Sequence, residues 1–173
     1  MQIDTKMKHY VGLLILLLSL SSQAIADPAK WDGFRGMKWG THIKDFNDIN
    51  LVLVENGNEY KGYRRPNDKL SIGDANLKEI IYTFYKDRFY GFKIEAQGQD
   101  NFRFLKNAVF DYYGDGRPTA KSHTSWLWTP ELENSRNVRM LLSYDVSKEI
   151  TKWSMGYAPI LKQMYDEKSK KPK

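Results

Sequence analysis

Residues 77–114 read LKEIIYTFY-KDR-FYGFKIEAQ-GQD-NFRFLKNAVFDYY-G, two apolar runs followed by an amphipathic segment. Aromatic and β-branched residues dominate 77–85 and 89–97, which is a composition typical of strands. The connection 86–88, Lys-Asp-Arg, is short enough to join them as a hairpin. Apolar residues then recur at helical spacing over 101–113. The segment therefore predicts a β-hairpin packed against the helix that follows it, and this unit is the expected centre of the fold.

The register of the hairpin can be predicted from the side chains that would share a face. A three-residue loop at 86–88 places three apolar pairs on one face: Ile80–Ile94, Tyr82–Phe92 and Phe84–Tyr90. A two-residue loop would instead place a lysine and a glycine opposite the apolar residues of the first strand. Since a slip of one residue moves every side chain to the other face, the buried face favours the three-residue loop.

The helix has predicted boundaries at both ends. Asp100 is a favourable N-cap, so the helix is predicted to begin at Asn101. Gly114 is predicted to end it, because glycine readily adopts the positive φ that follows a last helical turn. One face of this helix carries the residues that are predicted to pack on the hairpin: Phe102, Leu105, Val109 and Tyr112.

Shorter elements are predicted on both sides of this unit. Residues 31–40 are predicted to form a short strand or an extended entry segment, and Thr41 to cap a short helix that ends at Phe46. Further strands are predicted at 51–54, 60–64, 122–128, 138–144 and 152–157, and a last helix at 159–165. Strands joined by tight turns predict an α+β fold, a single domain over 27–165, with an antiparallel sheet and two or three short helices packed on one face.

The first 26 residues have the three parts of a secretory signal peptide. Lys6 and Lys8 form a basic start, and an apolar run covers 11–20. Ala24 and Ala26 supply the small residues before a cleavage site, so we predict cleavage after Ala26 and a periplasmic or secreted protein. The competing interpretation is a membrane anchor, but a span needs about 20 apolar residues and the run is roughly half that. No integral membrane span is therefore expected after cleavage.

Composition excludes several kinds of chemistry. The chain has 173 residues and no cysteine, which excludes disulfide bonds, thiolate metal ligands and cysteine nucleophiles. The formal net charge is +6, from 27 basic and 21 acidic residues. Part of this excess lies in 166–173, which is too polar to bury a core and is predicted to form a disordered lysine-rich tail. The remaining body carries little net charge, so nucleic acid is not expected as a partner.

The sequence contains no motif for catalysis, metal binding or a cofactor. His42 and His123 are isolated from other groups that would make a catalytic or metal-binding set. We therefore predict a protein that is not an enzyme and that has no cofactor or metal. The alternative is a carboxylate-dependent hydrolase acting on cell-wall or glycan substrates, because a pair of carboxyls can cleave a glycosidic bond. Its candidate acids are Glu79, Glu95, Asp111 and Glu131.

Two sets of residues are candidates for binding. The first set is basic with one tyrosine: Lys61, Tyr63, Arg64 and Arg65. Such a run suits an acidic glycan or a lipid headgroup, and the competing interpretation is a charged edge strand that prevents pairing with another chain. The second set is Trp126 and Trp128, which share a strand face. These two side chains would line either a groove or the core.

Two motifs carry a resemblance to known proteins. Trp39-Gly40-Thr41 precedes the first short helix, and the hairpin is followed by a helix that ends at Tyr113-Gly114. Both resemble small exported bacterial proteins of unknown function and, more distantly, helix-plus-sheet interaction modules of the bacterial envelope. The lipid-bearing cysteine of many such modules is absent here. The resemblance implies binding without catalysis, so the predicted function is a non-catalytic exported module that binds an envelope protein or a small apolar ligand.

Overall fold

The computed structural model describes residues 31–46, 50–57, 59–119, 124–129 and 137–170, so the predicted leader lies outside the described residues. Within those ranges the chain forms twelve strands and two α-helices. The strands are β1 (Gly33–Phe34), β2 (Met37–Lys38), β3 (Val52–Asn56), β4 (Tyr60–Arg64), β5 (Ser71–Ile72), β6 (Ala75–Asn76), β7 (Glu79–Tyr85), β8 (Arg88–Gln97), β9 (Arg117–Pro118), β10 (Ser125–Trp128), β11 (Val138–Asp145) and β12 (Ile150–Tyr157). The helices are α1 (Gln99–Tyr113) and α2 (Ala158–Ser169), and neither of these described helices is long and apolar enough to cross a membrane.

Eight of the described strands form one antiparallel sheet in the order β3-β4-β7-β8-β12-β11-β10-β9. β1 pairs with β2, and β5 with β6, in two small separate hairpins. The predicted α+β class with an antiparallel sheet is thus confirmed. The hairpin predicted at the centre of the fold is β7–β8, and it lies beside β12 in the middle of the sheet.

The first face of the sheet carries the main core. Side chains alternate between the two faces along a strand, and Tyr82, Phe92 and Trp153 share this one. Leu105 and Val109 of α1 are buried in the same cluster. Two of the four residues of the predicted stripe, Leu105 and Val109, therefore share a core with the apolar hairpin face, whereas Phe102 stacks on Tyr144 of β11 with the ring centroids 4.4 Å apart.

The second face is covered at one end by α2, which corrects the prediction that the helices pack on one face. Tyr85, Tyr90 and Ile160 form a separate buried cluster there. Gly156 leaves room for the helix, since a Cβ at this position would lie 2.8 Å from Leu161 Cδ1. α2 begins immediately after β12, so the direction in which that strand ends determines which face the helix covers, and no local sequence pattern reports that direction.

The turn between β7 and β8 is one residue shorter than predicted. Tyr85 pairs with Arg88, so the turn consists of Lys86 and Asp87. Their φ values are +48° and +60°. Positive φ at both central residues gives a two-residue turn the twist that matches the flanking strands. The predicted three-residue loop is therefore wrong.

A β-bulge restores the predicted register beyond this turn. The pairing shifts between Thr83 and Phe84, so that Phe84 lies opposite Phe89. Tyr90, which was predicted opposite Phe84, is the extra residue and joins the buried cluster on the second face. Two of the three predicted pairs are observed: Ile80–Ile94 and Tyr82–Phe92. The extra residue sits in the strand because a bulge allows a tight turn and the buried aromatic pairs to coexist.

α1 begins two residues earlier than predicted, with Gly98 as its N-cap, so Asp100 lies inside the first turn and does not cap the helix. Gly114 ends the helix as predicted, with φ +82° and its N–H donating to the Phe110 carbonyl at 2.8 Å. Tyr112, which was predicted to pack on the hairpin, is 51% exposed. The buried residues of the helix are Leu105, Val109 and Tyr113.

A 3₁₀ turn at Ile43–Asp45 replaces the first predicted helix. Its N-cap is His42 and not Thr41, because the His42 Nδ1 accepts a hydrogen bond from the Lys44 N–H at 3.2 Å. The Thr41 carbonyl instead accepts from the Phe89 N–H at 2.9 Å. Thr41 therefore pairs with β8 of the central sheet and does not cap the helix, although its local propensity favours a cap.

α2 extends four residues into the predicted disordered tail, and only 171–173 of that tail lie outside the described residues. Glu167 accepts hydrogen bonds from the Lys86 ammonium and the Tyr85 hydroxyl, each at 2.5 Å. These bonds lower the pKa of Glu167 to about 2. Contacts with the β7–β8 turn thus order a segment whose composition alone predicts disorder.

Candidate ligand-binding groove

An apolar groove lies between the β1–β2 hairpin, α1 and β12. Its volume is about 600 Å³. Most of the side chains that line it are aliphatic or aromatic, and they include Phe34, Met37, Ile72, Val109, Tyr113 and Trp153. We call this site the hairpin groove. Its size and lining suit a small organic molecule, so it is the candidate functional site.

The β1–β2 hairpin forms one wall of the groove because its sequence makes a tight turn. Phe34 pairs with Met37, so Arg35 and Gly36 form the turn, with φ +48° and +82°. The Phe34 ring stacks on Phe92 of the sheet, with the ring centroids 3.9 Å apart. This aromatic contact holds the hairpin against the first face.

Arg35 anchors the same wall to the loop that precedes β5. Its guanidinium donates to the Asp68 carboxylate at 2.6 Å and to the carbonyls of Lys69 and Ser71 at 2.7 and 2.9 Å. The Asp68 side chain is only 8% exposed. It also accepts a hydrogen bond from the Tyr82 hydroxyl, and burial together with this bond raises the pKa of Tyr82. A partly buried ion pair supported by further hydrogen bonds gives the wall a defined position.

Trp153 and Tyr113 line the groove, and one of their hydrogen-bond donors has no acceptor within the described part of the chain. The Trp153 indole Nε1–H is buried and makes no hydrogen bond there. The two ring centroids lie 5.9 Å apart. Burial raises the pKa of Tyr113, so its hydroxyl stays protonated at neutral pH and can donate.

The charged side chains that line the groove are compensated or exposed. Arg35 is bonded to Asp68. Lys38 and Asp32 are both exposed to solvent. Among the described residues, the buried part of the groove therefore holds no uncompensated charge.

The structure does not bring the predicted basic residues together as a patch of free cations. Lys61 pairs with Asp87 at 2.9 Å, and Arg64 pairs with Glu79. Since 61 and 64 are an odd number of positions apart, their side chains point to opposite faces of the sheet. Arg65 lies over an aromatic ring of the core. Nor is β4 an edge strand, as the competing interpretation required, because β3 lies outside it.

The predicted aromatic residues lie in the core and not in a groove. Tyr63 packs against the core through an edge-on ring contact. Trp126 and Trp128 are 4% and 3% exposed, and each makes an edge-on contact with Phe110 of α1. The Trp128 Nε1–H donates to the Gly114 carbonyl at 3.1 Å. Both tryptophans are therefore core residues, because α1 covers the face of β10 that carries them.

Glu79 and Glu95, two candidate acids of the hydrolase alternative, lie opposite each other on β7 and β8. Arg64 binds Glu79, and Lys78 binds Glu95 at 2.7 Å. A general acid needs a raised pKa. The described carboxyls with shifted pKa values, which are Glu55, Asp145 and Glu167, are all lowered. For Glu55, burial favours the neutral form, but hydrogen bonds from Lys93 and Tyr60 outweigh it.

The remaining chemical candidates are not assembled into a site. Asp111 lies on an exposed position of α1, while Glu131 and His123 lie outside the described residues. His42 caps the 3₁₀ turn. No group of acidic, histidine or cysteine side chains that could hold a metal ion occurs in the described ranges.

Sequence reasoning missed the hairpin groove. It treated 31–40 as a short strand or an extended entry segment, and Trp153 as an ordinary strand residue. One usable signal was Arg35-Gly36 between Phe34 and Met37, since a glycine flanked by apolar residues predicts a turn. Placing that turn beside α1 requires the fold, because the two walls are about seventy residues apart in the chain.

The chain was compared with protein-family models, curated proteins and solved structures. No protein-family model matches the chain, and neither a curated protein nor a solved structure matches it. The function proposed next therefore rests on the residues of the hairpin groove.

Proposed function

We propose that the protein is an exported, non-catalytic binding protein that takes a small apolar ligand in the hairpin groove. The observation that carries the proposal is the groove itself, with aromatic and aliphatic side chains from separate elements around about 600 Å³. Ligand sites in proteins share this size range and this lining. A concave site of this volume favours a small molecule over an envelope protein, which would need a broad apolar surface.

The binding proposal predicts that filling the groove abolishes ligand uptake. Ala108 lines the groove on α1, whereas its neighbour Asn107 is exposed and does not line it. We expect Ala108→Leu to weaken binding of the neutral dye N-phenyl-1-naphthylamine by about tenfold or more, because the added atoms occupy the ligand's space. Fluorescence titration measures the affinity.

Asn107→Leu is the matched control, since it adds a leucine to the same helix outside the groove. Its affinity for the dye should stay within about twofold of the unmodified chain. Equal affinities for the Ala108→Leu and Asn107→Leu variants would place dye binding elsewhere and would contradict the proposed site.

Export rests on the signal features of residues 1–26. We expect the chain produced in a Gram-negative host to be recovered from the periplasm or the medium with Asp27 as its first residue. Intact mass spectrometry of the fractions measures this. Recovery of the chain with residues 1–26 still attached would contradict the proposal of a cleaved leader.

A further inference from the structure

We infer that the exposed edge of the sheet at β3 is an interface between two copies of this chain, in which the two β3 strands pair antiparallel about a twofold axis at Leu53. This interface goes beyond the hairpin groove, which no residue of β3 lines. The occupant of the edge is a second copy, because the side chains of β3 complement themselves.

The first argument is that β3 is an unprotected edge. It is the last strand at one end of the described sheet, so no described strand pairs with the outer side of its backbone. Val52, Leu53 and Val54 are 51%, 45% and 39% exposed. Consecutive apolar side chains on an open edge make a template for pairing with another strand. A bulge between Leu53 and Glu55 increases the local twist, but its extra residue, Val54, is apolar as well.

The other edge of the described sheet, β9, is protected. It has only two residues, Arg117 and Pro118, and both are exposed. A very short strand, a charged side chain and a proline are features by which natural sheets avoid edge pairing. Once two β3 strands have paired, only the β9 edges remain outside, so the assembly closes at two copies.

The second argument is the self-complementarity of the strand. In an antiparallel pair with the axis at Leu53, Leu53 of one copy lies opposite Leu53 of the other. Val52 of each copy then lies opposite Val54 of the other. Apolar residues that face each other across two strands stabilise the pair, so each exposed apolar side chain of β3 gains an apolar neighbour.

The third argument is charge. Glu55 is the charged residue of β3, and its carboxylate accepts hydrogen bonds from the Lys93 ammonium at 2.8 and 3.1 Å and from the Tyr60 hydroxyl. It lies two residues from the axis, so the two Glu55 carboxylates lie toward opposite ends of the paired segment. No like charges therefore meet at the axis, and a second copy matches both the apolar and the charge pattern of the edge.

The expected dimer dissociates on dilution, because the interface is small. Stable interfaces use about 20–30 residues on each side, whereas β3 has five residues. We expect a dissociation constant of about 10 µM. Sedimentation equilibrium of the chain recovered from the Gram-negative host, over about 1–100 µM, should show a mean mass that rises from one chain toward two.

Leu53→Lys places two like charges opposite each other at the axis, which destabilises strand pairing. This variant should raise the dissociation constant about tenfold or more. Leu141→Lys is the matched control, since Leu141 is 39% exposed on the inner strand β11, and its dissociation constant should stay within about twofold. Circular dichroism verifies folding, and Val52→Lys, at a second exposed position of the edge, should weaken association in the same way.

A mixture of two variants tests the position of the axis. Neither Leu53→Lys nor Leu53→Glu should associate with itself in the concentration range of the unmodified chain. Mixed in equal amounts, the two variants place opposite charges across the axis and should recover a mean mass approaching two chains. A purely structural effect of the substitutions would not produce this recovery.

Four outcomes would overturn the inference. They are a single-chain mass for the unmodified chain over the whole range, association that survives Leu53→Lys, equal weakening by Leu53→Lys and Leu141→Lys, and no recovery in the mixture. The first of them would leave the β3 edge to a strand of another protein. Dye binding in the hairpin groove is measured separately, so the proposed function stands or fails by its own test.

Discussion

Gly91→Ala is expected to destabilise the fold by about 3 kcal/mol or more, because it adds a methyl group where two strands leave no room. Gly91 lies in the middle of the sheet, opposite Thr83 of β7 and Gly156 of β12. A Cβ there would lie 2.4 Å from the Met155 carbonyl oxygen and 3.1 Å from Thr83 Oγ1. The nearer atom belongs to the backbone of a central strand, so relief requires the strands themselves to separate. Urea denaturation followed by circular dichroism measures the change in the free energy of unfolding.

Gly156→Ala is the matched comparison in the neighbouring strand. Its added Cβ would meet Leu161 Cδ1 at 2.8 Å, and that atom is the end of a side chain that can rotate away. We therefore expect a smaller loss of stability than for Gly91→Ala, of about 1 kcal/mol. Equal losses for the two variants would show that the close strand approach at Gly91 is not the cause.

Asp68→Ala is expected to lower the free energy of unfolding by about 2–3 kcal/mol, since it leaves the partly buried Arg35 guanidinium without its carboxylate. The Asp68 side chain is 8% exposed and also accepts from the Tyr82 hydroxyl, so the substitution removes two hydrogen bonds together. Arg35 lies in the turn that forms one wall of the hairpin groove. The same variant should therefore bind the neutral dye more weakly than the unmodified chain, which dye titration of the folded fraction measures.

Asp74→Ala provides the control for this prediction. Asp74 is an exposed acid in the turn between β5 and β6, a few residues further along the chain. Its substitution should change stability by no more than about 0.5 kcal/mol and leave dye affinity unchanged. If Asp68→Ala costs as little as Asp74→Ala, the Arg35–Asp68 ion pair does not support the hairpin, and the explanation of the groove wall is wrong.

The hairpin and helix at 77–114 were predictable because their signals are local. Strand alternation around Tyr82 and Phe92 and the helical spacing of Leu105 and Val109 each report one buried face. The misplaced residue shows the limit of this reasoning. A three-residue loop and a two-residue turn with a bulge each leave three residues without a cross-strand partner and give the same register further along the strands, so the side-chain pattern could not show that Tyr90 is the bulge.

The candidate binding residues show a different limit. Trp126 and Trp128 share a face in either of their two interpretations, and only the position of α1 assigns that face to the core. Lys61 is neutralised by Asp87 in the β7–β8 turn and Arg64 by Glu79 on β7, and the composition of the local run does not reveal either partner. Sequence reasoning therefore proposed surface sites from residues whose partners lie elsewhere in the chain.

The amino-acid sequence by itself determined an antiparallel α+β framework with a hairpin and a helix at its centre. The reason is that apolar side chains recur with a period of two in a strand and of about 3.6 in a helix, and both periods involve residues close together in the chain. The tertiary structure alone decided that α2 lies on the opposite face from α1 and that Phe34, Tyr113 and Trp153 surround one groove. The physical reason is that a concave site is made by side chains distant in sequence, whose approach depends on where strands end and how the sheet is ordered.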